Sequence, residues 1–143
     1  MLISTKGHYA LRAVVDIAEN SLSQRVSLRT VAERQGISEK YLEAIVKPLV
    51  VNGILVSVRG KNGGYQLAKP ANEITAGDVI RVVEGEVASV PCGETGGEFC
   101  NRMASCRTAQ FWAGLEQTID QYLDSKTIAD LAIPDLAGND YVI

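Results

Sequence analysis

Three cysteines carry the plainest chemistry in this chain. Cys92, Cys100 and Cys106 are its only thiols, separated by seven and then five residues. Thiolates are soft ligands that select iron–sulfur clusters, zinc or copper(I). The intervals contain no Cys-x2-Cys pair, which moves zinc down the order. Gly93, Gly96 and Gly97 let the intervening backbone fold around a bulky centre. Taken alone, the spacing leaves metal ligation and idle, buried thiols equally open. An odd number of thiols cannot all pair within one chain, and no disulfide framework is expected in a cytoplasmic protein.

A second set of reactive types lies upstream, between residues 27 and 65. Two short helical patterns are split by Gly36-Ile37-Ser38, and a β-hairpin pattern follows. That order is a helix-turn-helix with a wing. The second helix would present Ser38, Glu39, Lys40, Tyr41 and Glu43 in its first turns, where a recognition helix meets base edges. Ser can donate or accept, Lys can reach guanine or phosphate, and Glu can accept from the cytosine amino group. Lys47 and Arg34 suit phosphates. The wing offers Ser57, Arg59 and Lys61 among glycines, and an Arg there suits a narrow minor groove.

Charge supports this reading once it is divided. The net charge of −3 hides ten Lys/Arg against five Asp/Glu in residues 1–70, and four against twelve in residues 71–143. A basic front half is what a polyanion partner requires. Solvated helix faces account for the same charges less completely, because they do not explain the capped helices and the glycine-rich hairpin alongside them.

The elements that must hold these residues follow from periodicity. Tyr9, Ala10, Ala13, Val14, Ile17 and Ala18 make an apolar face for a helix over residues 5–20. Ser27 caps a second helix that Gly36 stops, and Ser38 caps a third that ends at Asn52-Gly53. Pro48 falls within the third and is expected to kink or tighten its last turn. Strands are expected over residues 54–59 and 65–68, joined by the loop 60–64. Thr75 with Asp78 caps a helix closed by Gly85. Residues 86–105 read as a long loop. A last long helix spans about 106–123, with Phe111, Trp112, Leu115, Ile119, Tyr122 and Leu123 in one stripe, and a further turn lies at 127–131. The fold class is mainly α with a small β-hairpin wing. Residues 1–70 are expected to form the DNA-binding domain, and residues 71–143 the helix, cysteine loop and dimerisation helix.

Tyr9-Ala10-Leu11-Arg12-Ala13, Ile37-Ser38-Glu39-Lys40-Tyr41-Leu42-Glu43 and Val58-Arg59-Gly60 with Gly63-Gly64-Tyr65 carry a resemblance. Together with the three-cysteine loop they resemble the IscR/NsrR/RirA family of bacterial winged helix-turn-helix transcription regulators, closest to the IscR-type iron–sulfur cluster regulators. The resemblance covers residues 2–131. It implies a homodimer joined through the long C-terminal helix, bound to a pseudo-palindromic operator in double-stranded DNA. It also implies that Glu43 and Arg59 read bases, with Ser38 and Tyr41 beside them. An iron–sulfur cluster is implied at Cys92, Cys100 and Cys106, 2Fe–2S ahead of 4Fe–4S. Nitric-oxide-sensing members take a carboxylate ligand from the partner protomer at the residue before Tyr-Ala-Leu-Arg. Here that residue is His8, the only histidine, and imidazole ligates iron in Rieske centres. Some IscR-type members carry a ligand histidine three residues after the last cysteine; Ala109 stands there in this chain. The signal implied is iron, cluster supply, redox state or nitric oxide.

Other classes fit less well. A cysteine-nucleophile enzyme needs a base near a thiol, and no nucleophile elbow or P-loop Lys-Ser/Thr appears. The alternative within the same class is a metal-free repressor responding to thiol oxidation or to a small molecule. No apolar h-region opens the chain and no run reaches membrane-spanning length, so a cytoplasmic location is expected.

Overall fold

A computed structural model describes residues 3–22, 24–85 and 105–132. Its order is α1 (Thr5–Asn20), α2 (Leu28–Gln35), α3 (Glu39–Val51), β1 (Leu55–Val58), β2 (Gly64–Leu67), a 3-10 turn (Ala71–Glu73), α4 (Ala76–Glu84), α5 (Ala109–Ser125) and α6 (Ile128–Leu131).

The helices begin where side chains can meet orphan backbone N–H groups. Ser27 Oγ accepts from the Thr30 N–H at 3.1 Å, and Ser38 Oγ from the Tyr41 N–H at 3.0 Å. Thr75 and Asp78 form the reciprocal pair expected, at 2.9 and 3.0 Å. Gly36 leaves α2 with φ +67°, a conformation costly for any residue with a Cβ. α3 runs on through Pro48 to Val51. α1 differs: its own Ser4 provides no side-chain cap. Glu84, the last residue of α4, takes that role, accepting from the Gly7 N–H at 2.9 Å and from the Ser4 hydroxyl.

The hairpin is antiparallel, with Leu55 opposite Leu67 and Val58 opposite Gly64. It is one residue shorter at each end of β1 than the β-branched run suggests, and β2 begins at Gly64 rather than Tyr65. Glycine is required at Gly63, where a Cβ would lie 2.2 Å from the Val58 carbonyl oxygen. Val26 adds a rung on the other edge of β2: its N–H donates to the Tyr65 carbonyl at 2.9 Å, and the Tyr65 N–H returns the bond at 2.8 Å. No strand is expected at Val26 from the sequence, so this rung comes from tertiary structure.

One core gathers Ala13, Val14, Ile17, Val31, Leu42, Ile45, Leu49 and Leu55 with Ile74, Val79 and Ile128. It therefore draws on residues before and after position 70. The chain returns through Ile128, whose N–H donates to the Ile74 carbonyl at 2.8 Å. A smaller cluster joins Ile80 and Leu123, with Ile3, Leu11 and Ile119 against it.

α5 begins at Ala109, three residues later than the periodicity suggests. Its apolar stripe also divides. At about 100° per residue, Phe111, Leu115 and Tyr122 share one line, and Trp112, Ile119 and Leu123 share another. In the second line Leu123 is buried against Ile80 of α4 with Ile119 half-buried beside it, and Trp112 is half-buried. The first faces outward, with Phe111 64% and Tyr122 65% exposed. Arg81 fastens α4 to α5 through Asp124 at 2.7 and 3.0 Å and Asp120 at 3.3 Å.

Candidate nucleic-acid interface

α3 buries Leu42, Ile45, Val46 and Leu49, so its opposite face is fixed outward. That face carries Lys40, Tyr41, Glu43 and Lys47, all exposed, with Ser38 at the helix entrance. The wing sets Ser57, Arg59 and Lys61 in solvent beside it. A groove of about 450 Å³ separates the two, lined by Lys47, Val51, Ser57, Val58, Arg59 and Tyr65 among others. Lys40, Lys47, Arg59 and Lys61 have no ion-pair partner among the described residues. Such free cations beside an outward helix and a hairpin can neutralise phosphates and reach base edges.

Glu43 is the negative group in this row. Burial first, then the Glu43 carboxylate, hold the Tyr65 phenol above its usual pKa. The reading helix and the wing thus feel each other across the groove.

Arg34 departs from expectation. Its guanidinium is given to Asp16 of α1, at 2.6, 3.0 and 3.2 Å, although the side chain stays partly exposed. Asp16 is only 4% exposed and also accepts from the Gln35 amide at 2.8 Å. The hydrogen bond to Asp16 raises the Arg34 pKa against the cost of partial burial. Arg34 is a fastener between α1 and α2. The two partners lie eighteen residues apart on different helices, and nothing local in the sequence marks the pairing.

A contact that sequence reasoning missed lies behind the reading row. The Tyr9 ring meets the Tyr41 ring edge-on at 5.7 Å, and the Arg12 guanidinium lies 5.4 Å from the Tyr9 centroid. Arg12 in turn donates to the Gln35 carbonyl and, at 3.1 Å, to its side-chain oxygen. α1 therefore touches the first turn of α3 through aromatic rings.

The expected ligand set is described only in part. His8 is exposed in the first turn of α1, next to Tyr9. Cys106 is exposed just before α5, its Sγ 3.3 Å from the Thr108 hydroxyl. That hydroxyl and the backbone N–H groups of Thr108 and Ala109 hold the thiol below its usual pKa. An accessible, thiolate-favouring sulfur fits a soft-metal ligand. Cys92 and Cys100 lie outside the described residues, and within these no three His, Cys, Asp or Glu side chains converge. No helix among the described residues is long and apolar enough to cross a membrane.

Comparison with known proteins agrees with this geometry. The family model Rrf2, described as an iron-dependent transcriptional regulator, matches residues 3–134. "Protein rrf2" of Nitratidesulfovibrio vulgaris is 40% identical over 131 residues, covering 92% of this chain and 87% of that protein. The HTH-type transcriptional regulator IscR of Cronobacter sakazakii is 40% identical over 131 residues, covering 92% and 80%. The structure of CymR, the global cysteine regulator of B. subtilis, superposes with a TM-score of 0.78 at 36% identity, covering 92% and 96%. With its outward reading helix, its wing and these relatives, the chain belongs to the Rrf2 family of DNA-binding transcriptional regulators and is not an enzyme.

Proposed function

We propose that this regulator binds a pseudo-palindromic operator as a homodimer and that an iron–sulfur cluster at its cysteine loop sets its affinity. Ser38, Lys40, Tyr41 and Glu43 read the major groove. Ser57, Arg59 and Lys61 enter from the wing, and Lys47 takes a phosphate. Cys92, Cys100 and Cys106 of one protomer, with His8 of the other, would hold the cluster, 2Fe–2S ahead of 4Fe–4S. Such a group supplies a set of ligand bonds sensitive to iron supply, oxidation or nitric oxide.

One observation carries the switching idea: Tyr9, the neighbour of His8, packs against Tyr41 of the reading helix. A constraint on His8 has a direct route to the residues that face DNA. Affinity changes only if the two states differ in their fit to the operator, and half-site spacing on the duplex supplies that difference. The exposed Phe111, Leu115 and Tyr122 supply an apolar seam for the dimer. With two His8 side chains available to two cysteine loops, exchange of ligands across the dimer ties each loop to the opposite reading head.

A metal-free thiol-responsive repressor is the second reading. The free, exposed Cys106 and the likeness to a cysteine regulator favour it. Anaerobic purification separates the two. The cluster reading expects a coloured protein with iron and sulfide in stoichiometric amounts, and loss or alteration of the visible spectrum in His8→Ala. Colourless protein without iron, from cells supplied with both iron and sulfide, would leave the thiol reading in its place.

A further inference from the structure

A second cavity, about 690 Å³, opens between the wing tip and the start of α2. Its lining includes Arg25, Ser27, Thr30, Arg34 and Lys61, and no Asp or Glu. Arg34 is neutralised by Asp16 at 2.6 Å. Arg25 and Lys61 have no ion-pair or hydrogen-bonding partner among the described residues. Both line this space from backbone that is held in place. The paired Val26–Tyr65 bonds pin the residue after Arg25 to β2, and the Gly63 N–H closes the wing turn on the Gly60 carbonyl at 2.9 Å. Two cations held at one acid-free cavity repel unless an anion lies between them.

The same wing borders the reading groove through Ser57, Val58 and Arg59. The second cavity borders the same wing through Lys61, Asn62 and Gly63. We infer that this cavity seats a backbone phosphate of the operator, with Arg25 and Lys61 as its cations and the Ser27 and Thr30 hydroxyls on its wall. Arg25 is thus a DNA contact outside the reading helix. Its contribution is indifferent to base sequence, because phosphate contacts position the protein and carry no base information. The inference rests on the reading of the chain as an operator-binding protein. Free inorganic phosphate shares the chemistry, so the test must distinguish the two sources.

The experiment measures affinity for an operator duplex and for a scrambled duplex across a salt series. Wild type is compared with Arg25→Gln, Lys61→Gln and the restoring Arg25→Lys, with thermal melting to confirm folding. Inorganic phosphate is titrated separately against chloride at constant ionic strength. For Arg25→Gln the slope of log affinity against log salt becomes shallower by about 0.9 for each phosphate no longer neutralised. Operator and scrambled duplex weaken by the same factor, and Arg25→Lys regains the slope. An unchanged slope with wild-type binding intact overturns this inference alone. So does an unchanged slope accompanied by loss of a phosphate-specific competition, which would assign the cavity to a free anion. A wild-type protein that binds neither duplex removes the operator reading and this inference with it.

Discussion

Arg34 and Asp16 carry opposite burdens, although they form one pair. Asp16 is nearly enclosed, whereas the Arg34 side chain is 37% exposed. Removing the cation strands a carboxylate away from water, with only the Gln35 amide left to it. Removing the carboxylate lets the guanidinium turn to solvent. Arg34→Ala should therefore cost about 3 kcal/mol, and Asp16→Ala about 1–2 kcal/mol. Urea unfolding of both variants checks the order, and equal costs would contradict it. The sequence shows a cation on the second helix of a DNA-reading unit, and reading it as a phosphate contact follows from local context. The partner it has in the structure, Asp16, is supplied by the packing of α1 on α2. By contrast, the residues expected on the outer face of α3 follow from its buried positions, because Leu42, Ile45, Val46 and Leu49 leave only one way for Lys40, Glu43 and Lys47 to face.

At the level of elements, caps were readable and contacts between helices were not. Ser27, Ser38 and the Thr75–Asp78 pair announce their helices because the hydrogen bonds lie within three residues. The beginning of α5 is different. Apolar periodicity runs back toward Cys106, yet the helix starts at Ala109. The joint between α4 and α5 makes a testable claim about acid. The Arg81 guanidinium holds the Asp124 carboxyl below its ordinary pKa, against a smaller opposing effect of burial. A carboxylate depressed in the folded state stabilises it above the ordinary value and loses that contribution as pH falls through the folded value. Asp124 is about half exposed, so solvent screens much of the effect. The melting temperature of Asp124→Asn should lie below wild type at neutral pH, and the gap should close as pH drops below about 3.8. A gap that stays constant through that range would show that the ion pair does not fasten the helices.

At the scale of the whole molecule, charge and apolar surface divide the labour. In the function proposed above, the basic first half would meet the duplex and the outward line on α5, exposed in the single chain, would meet a second copy. Introducing charge there, as in Phe111→Glu with Leu115→Glu, should shift the protein to monomer in sedimentation. Both side chains are exposed in the single chain, so melting of the monomer's own core should change little. Operator affinity should fall with the dimer, because two half-sites can no longer be held at once. A variant that stays dimeric would move the seam elsewhere. The family resemblance made the winged-helix regulator legible at once through Arg59-Gly60 and Gly63-Gly64-Tyr65. The route from α1 to the reading helix was hidden, since a ring contact between Tyr9 and Tyr41 spans thirty-two residues and three elements.

The central claim is that the loaded and stripped forms grip DNA differently. Operator affinity of the two forms, measured anaerobically at one salt concentration, tests it most directly. The account predicts a difference of about 5–150-fold, the usual range for coupling between two sites, with Tyr9→Ala reducing it. Equal affinity of both forms for every operator, in protein shown to contain and then to lack its iron, would contradict it.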